Sequence, residues 1–169
     1  WGPFWRYERP QKGRTREFFQ WNIDLLGVDS PEADAELAAV AARFLREVGL
    51  APGQVRLLAN NRRLMDSEFT RLDIPVQMLA PVPRLIDRRA KRPAGEWAAY
   101  ATETGLNAAQ FAGLQVILAD SELWRKSDEL QRFFNAVEAL GVSDYVQFAP
   151  HIIRGLDYYT GTVFECWDN

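Results

Sequence analysis

Two stretches of alternating residues separated by a short basic interval constrain this chain more than any other feature. From Phe4 to Glu8, Phe4, Arg6 and Glu8 share one side of an extended chain, while Trp5 and Tyr7 take the other. From Phe18 to Leu26 the alternation resumes, with Phe19, Trp21, Ile23 and Leu25 on one face and Gln20, Asn22 and Asp24 on the opposite one. Between them, Arg9–Arg16 contains Pro10 and Gly13, which punctuate a turn or mobile loop. The expectation is a hairpin with one greasy wall, one hydrogen-bonding wall and a cationic connection.

The following segments supply the cover such a hairpin needs. Ser30-Pro31 suits a helix start, with Ser30 as cap and Pro31 in the first turn. Leu37, Val40, Ala41, Phe44, Leu45 and Val48 recur at helical spacing and predict a buried stripe ending at Gly49. Val55–Ala59 reads as a strand before Asn60-Asn61-Arg62-Arg63. Pro75, Pro81, Pro83 and Pro93 then interrupt the chain. Helical patterns follow at Glu96–Thr104, Asn107–Asp120 and Ser127–Leu140, the last with an apolar stripe of Leu130, Phe133, Phe134 and Val137. Tyr145–Phe148 follows Gly141, and the alternation in Thr162–Trp167 reads as a late strand. The pattern is α+β, a sheet flanked by helices. Its expected parts are a core segment at 1–65, a helical insertion at 66–126 and a second core segment at 127–169.

With 169 residues, 47% of them hydrophobic, the chain is long enough to bury a core. The net charge of −3 gives no global attraction for nucleic acid, although Arg9, Lys12, Arg14 and Arg16 form a local cationic patch. Cys166 is the single cysteine, which excludes an internal disulfide and makes a reducing compartment the simpler setting. His151 is the single histidine, which excludes a multi-histidine metal centre, and no metal site is expected. No apolar run has the length of a membrane span. The glycines match neither a P-loop nor a dinucleotide fingerprint.

Several residues could carry chemistry. Arg6, held over a sheet, offers a planar fork to phosphate or carboxylate, and Gln20 and Asp24 could fix an amine or imidazole. A solvated face of Arg–Glu pairs is equally compatible with the hairpin alone. Arg14 and Arg16 could close over a polyphosphate or simply solubilise a turn. In RGLDYYTGTVFE, Arg154 stands among glycine and aromatic residues, suited to neutralising charge in a confined site or to pairing with Asp157. Arg84–Arg92 could touch RNA or form a solvated helix face.

WRYERPQKGRTREFFQWNIDLLG closely resembles the second class-defining motif of class II aminoacyl-tRNA synthetases, and RGLDYYTGTVFE is similar to the histidine-specific motif of histidyl-tRNA synthetases. NNRRLMD after a strand fits the same family. The resemblance implies an antiparallel sheet core of class II type, with a small helical insertion. It also implies cytoplasmic histidine activation with ATP and Mg2+, followed by transfer to tRNA(His). By position, Arg6 would hold the ATP α-phosphate, with Glu8 near the adenine and Arg14 on the outer phosphates. Gln20 would bind histidine, Asp24 stands near the same ligand, and Arg154 would be a second cation at the α-phosphate. Tyr159, helped by Tyr158, would line the imidazole pocket. The family's first motif and acidic amine-binding stretch would precede Trp1. Its third motif and anticodon-binding domain would follow Asn169. An incomplete, inactive catalytic fragment is therefore expected, from an enzyme that is a homodimer at full length. The alternative is the synthetase-like, histidine-binding regulatory subunit of ATP phosphoribosyltransferase.

Overall fold

The computed structural model describes residues 1–9, 11–89, 92–153 and 160–168. The expected hairpin forms between β1 (Gly2–Trp5) and β2 (Glu17–Gln20), which pair antiparallel with Phe4 opposite Phe18 and Trp5 opposite Glu17. The second strand is shorter than its alternation predicts. Residues 21–26 have no regular structure, because among the described residues no strand pairs with their backbone groups beyond Gln20.

The larger sheet has the order β4–β3–β5, built from β3 (Val55–Asn61), β4 (Val146–Phe148) and β5 (Thr162–Asp168). It is mixed, which corrects the expectation of an antiparallel core within this chain. β3 runs antiparallel to β5, with Asn61 opposite Thr162, but parallel to β4, with Ala59 opposite Phe148. The parallel pairing follows from the long helical stretch between β3 and β4, a crossover that a tight hairpin could not provide.

Helix α1 (Pro31–Glu47) starts where Ser30 and Pro31 place it, and the Ser30 hydroxyl accepts from the Ala33 N–H at 3.2 Å. Its buried face differs from the predicted stripe. Ala33, Ala35, Ala38, Ala39 and Ala42 are buried, whereas Val40, Phe44 and Val48 are exposed. Small side chains let α1 approach the core closely, and the large ones turn outward, where Phe44 meets Trp21 at 4.8 Å. α2 (Arg62–Arg71) follows β3 directly and buries Leu64, Met65 and Phe69. α3 (Pro81–Asp87), α4 (Ala94–Thr104) and α5 (Ala108–Ala119) make the helical middle of the chain. A Cβ built on Gly113 of α5 would lie 2.4 Å from a Leu72 methyl, so glycine is what lets α5 settle against the end of α2. α6 (Asp128–Ala139) buries Leu130, Phe133 and Val137 as its pattern predicts.

One apolar cluster unites these helices with the Val55, Leu57 and Ala59 face of β3. A smaller one joins Ala149, Ile152 and Val163 beneath Leu58, on the opposite face. Among the described residues every buried side-chain nitrogen and oxygen has a partner, as native interiors require. Buried Glu68 binds Arg71 at 2.6 Å and Lys126 at 3.5 Å, tying α2 to the turn at Leu123–Lys126.

Candidate functional site

The hairpin carries Arg6 on the predicted face. The register puts Gly2, Phe4 and Arg6 on the same side as Phe18 and Gln20, with Trp1 stacked on Phe19 at 5.8 Å on the reverse. Pairing continues past β1, since the Arg6 N–H donates to the Arg16 carbonyl at 2.9 Å. The connection then closes on itself. Gln11 and Arg14 exchange backbone hydrogen bonds at 2.9 and 3.3 Å around Lys12 and Gly13. Gly13 has φ of +78° and Lys12 does not have positive φ, which is the signature of a type II turn. The basic interval is thus a tight turn, not an open loop, and it returns Arg14 over Glu8.

Three charged side chains converge as a result. Glu8 lies 3.8 Å from Arg6 and 3.6 Å from Arg14. Arg6 also sits over the Phe18 ring, 4.9 Å from its centroid. Arg6, Glu8, Gly13, Arg14, Thr15 and Phe18 line an open cavity of about 320 Å³. Both guanidinium groups are largely exposed, at 61% and 68%, so their pairing with Glu8 stabilises little and leaves them available to an incoming anion. Arg16 lies apart, over Tyr7, and donates to the Glu8 carbonyl at 3.3 Å.

The remaining predicted residues are distributed differently. Gln20 shares the Arg6 face but is opposite Gly2, about 13 Å along the strand from the Arg6–Arg16 level. It hydrogen-bonds Asn22. Asp24 is exposed in the irregular segment, so no strand aligns it with Gln20, which corrects that expectation. Arg154, Tyr158 and Tyr159 lie outside the described residues. His151, exposed, meets Trp167 edge-on at 6.3 Å, and partial desolvation of its ring, with Arg89 nearby, holds its imidazole below its usual value. Burial pushes the Cys166 thiol up, which favours the inert protonated form. Arg88 and Arg92 lie against Tyr100, and Arg89 over Trp97, on the basic face of the helical middle.

Sequence reasoning noticed Asn60 and Asn61 but assigned them nothing. Both are buried, at 1% and 0% exposure. The Asn61 side chain caps α2 by accepting from the Arg63 and Leu64 N–H groups, and it donates to Glu129 at 2.6 Å. Two asparagines ending an apolar strand were the available signal, since buried amides must have specific partners.

The histidyl-tRNA synthetase family profile matches residues 1–169. The histidine–tRNA ligase of Haloarcula marismortui is 34% identical over 181 residues, which cover 99% of this chain and 41% of that protein. The chain therefore spans about two-fifths of the length of the curated relatives it matches. In fold it is similar to the histidyl-tRNA synthetase from Nostoc sp. PCC 7120, with a TM-score of 0.73 over 82% of this chain and 37% of that one, at 23% identity. A protein from Bacillus halodurans described as an ATP phosphoribosyltransferase regulatory subunit/histidyl-tRNA synthetase gives 0.65 over 85% of this chain and 40% of that one, at 18% identity. On the full-length profile match and the ligase relatives, the chain belongs to the histidyl-tRNA synthetase family.

Proposed function

We propose that this chain is part of a catalytic domain that joins histidine to ATP, forming histidyl-adenylate, and passes the histidyl group to tRNA(His). The observation that carries the reading is the convergence of Arg6 and Arg14 on one cavity, with Glu8 between them. The reacting histidine is already a carboxylate nucleophile. It attacks the α-phosphorus, forming the acyl–phosphate bond as the bond to pyrophosphate breaks. The chemistry needs fixed positive charge for the phosphorane-like transition state more than it needs a general base.

Arg6, just past the end of β1 with its guanidinium over the Phe18 ring, would meet the α-phosphate, while Arg14 on the turn above would take the outer phosphates. Glu8 would leave its ion pairs and accept from the adenine. Magnesium would come with the ATP phosphates, with Glu8 as the one carboxylate among the described lining residues. Gln20, farther along the same face, would hold histidine, with Asp24 near the same ligand. Arg154 would add a second cation at the α-phosphate, and Tyr158 and Tyr159 would frame the imidazole. A pocket that satisfies both imidazole nitrogens would reject apolar amino acids strongly.

The wider reading includes the class II type of sheet, the insertion at 66–126 between core segments 1–65 and 127–169, a homodimer and a cytoplasmic setting. No described helix is long and apolar enough to cross a membrane. The test is ATP–pyrophosphate exchange by the complete gene product, with each amino acid in turn. Exchange that requires histidine is expected. Histidine binding without exchange would transfer the protein to the regulatory-subunit reading, and neither activity would end both.

A further inference from the structure

The helical middle of the chain leaves the core at the end of α2 and returns to it through the turn at Leu123–Lys126. At the exit, Asp73 has φ of +53°, the only positive value at a described residue other than glycine. The Asp73 and Ile74 N–H groups close back on the Thr70 and Phe69 carbonyls, both at 3.0 Å, so the left-handed residue ends α2 where glycine is usual. Within the middle, the Trp97 indole donates to the Leu85 carbonyl at 2.9 Å, joining α4 to α3. Trp97 also meets Phe111 at 4.9 Å, joining α4 to α5. α5 in turn holds the exit, because the Gln110 amide donates to the Asp73 carbonyl at 2.8 Å and Gly113 admits the Leu72 side chain.

Glu68 is the only charged residue buried among the described ones, and its two partners differ in kind. Arg71 lies one turn along the same helix and donates to Glu68 through Nε at 3.1 Å and through a terminal nitrogen at 2.6 Å. Lys126, at 3.5 Å, belongs to the returning turn. A buried carboxylate stripped of every partner is strongly destabilising. Arg71 alone spares Glu68 that state from within α2, so the Lys126 contact is the one that spans the joint.

We propose that Glu68 is a clasp: through Lys126 it closes the exit and the return of the helical middle on each other, and when it is released α3, α4 and α5 open from the core as one unit. That unit carries Arg88 and Arg92 against Tyr100, and Arg89 over Trp97. The clasp therefore governs how firmly this basic face is held to the sheet. It is a conformational device and touches no substrate. The two partners of one carboxylate separate it from plain stabilisation, because only Lys126 crosses the joint.

The test is backbone amide hydrogen exchange of the complete gene product, read by mass spectrometry, in Lys126→Met and Arg71→Met. Lys126→Met keeps an unbranched stem and leaves Glu68 paired with Arg71. The amides of α3, α4 and α5 are expected to exchange about threefold to tenfold faster and in step, with β3 and α6 within about twofold of wild type. In Arg71→Met the faster exchange should be confined to α2. Faster exchange limited to residues 123–126 in Lys126→Met would overturn the proposal, since nothing would then open as a unit. An equal rise in β3 would overturn it too, because it would mean general loosening, and so would the same pattern from both variants. Lys126→Arg, which keeps the charge, should show wild-type rates in α3 to α5 whether or not Arg71→Met folds. Rates as fast as those of Lys126→Met would equally end the assignment.

Discussion

The β1–β2 hairpin and the β4–β3–β5 sheet are both made of alternating strands, yet they spend that alternation differently. In the hairpin, Trp5 is 72% exposed and Phe19 is 62% exposed, and the charged residues meet over water. In the sheet, Leu57 is 1% exposed and Ala59 is fully buried, and the polar residues at the strand end are buried with their partners. The hairpin thus offers guanidinium groups at low cost to the fold. The sheet provides stiffness, and its asparagines fix backbone instead of meeting solvent. Changes in the two regions should separate accordingly, charge mattering in one and packing in the other.

The largest effect should come from the packed side. Phe133→Ala, at a fully buried position of α6, is expected to cost about 3–5 kcal/mol in denaturant unfolding. Phe19→Ala on the exposed wall of the hairpin should cost less than about 1 kcal/mol. Equal costs would break the contrast, because the hairpin would then be part of the same cooperative unit.

Next is the charged side. Arg6→Ala in the complete gene product should lower the exchange rate by about 10²–10³-fold, as loss of a transition-state cation does elsewhere. Its melting temperature should stay close to wild type, because the Arg6–Glu8 pair is exposed. A large stability loss would mean that the guanidinium supports the fold instead.

A smaller effect is expected at Gly13. Gly13→Ala meets open space but forces a side chain into φ of +78°, a strain on the order of 1 kcal/mol. The readout is the KM for ATP, which should rise because Arg14 is the neighbouring residue on the turn. An unchanged KM would detach Arg14 from the phosphates.

The finest test lies in the first turn of α1, where two carboxylates titrate in opposite senses. Arg132 grips Glu32 through two nitrogens at 2.6 and 2.7 Å and lowers its carboxyl to about 2. That contribution is present above the unfolded value near 4.5 and is lost as pH falls toward about 2. Asp34 is raised, chiefly by burial and against the Thr162 hydrogen bond, so its contribution favours the fold at low pH and is lost as pH rises through its folded value. Thermal unfolding between about pH 2 and 5 should become less steeply acid-sensitive in Arg132→Leu. An unaltered acid profile would show that the ion pair contributes nothing.

Local rules made much of this legible. Ser30-Pro31, the period of two in Thr162–Trp167 and the Leu130–Phe133–Val137 stripe each describe a contact that a residue makes within its own element, and each was readable. What escaped depended on distant partners. The alanine face of α1 was hidden because periodicity weighs large side chains, whereas close packing here selects small ones. The second strand's early end was hidden because ladder partners are not written in the strand itself. The Arg6–Glu8–Arg14 cluster was legible as a set of residue types, but the turn at Lys12-Gly13 that draws Arg14 back is a backbone geometry. The partner that satisfies buried Asn60, the Pro150 carbonyl, lies ninety positions away.

The parallel pairing of β3 with β4 has an unforced consequence. β4 and β5 flank β3 in opposite directions, so the chain from Phe148 to Thr162 has only to cross the width of one intervening strand, a gap of roughly 10 Å. Its contour length is several times that. Closing the sheet therefore needs only part of this connection, and Ala149, Ile152 and Ile153 spend their share of it buried in the core. Trimming it would test how far recognition and framework have been assigned to separate lengths of one polypeptide.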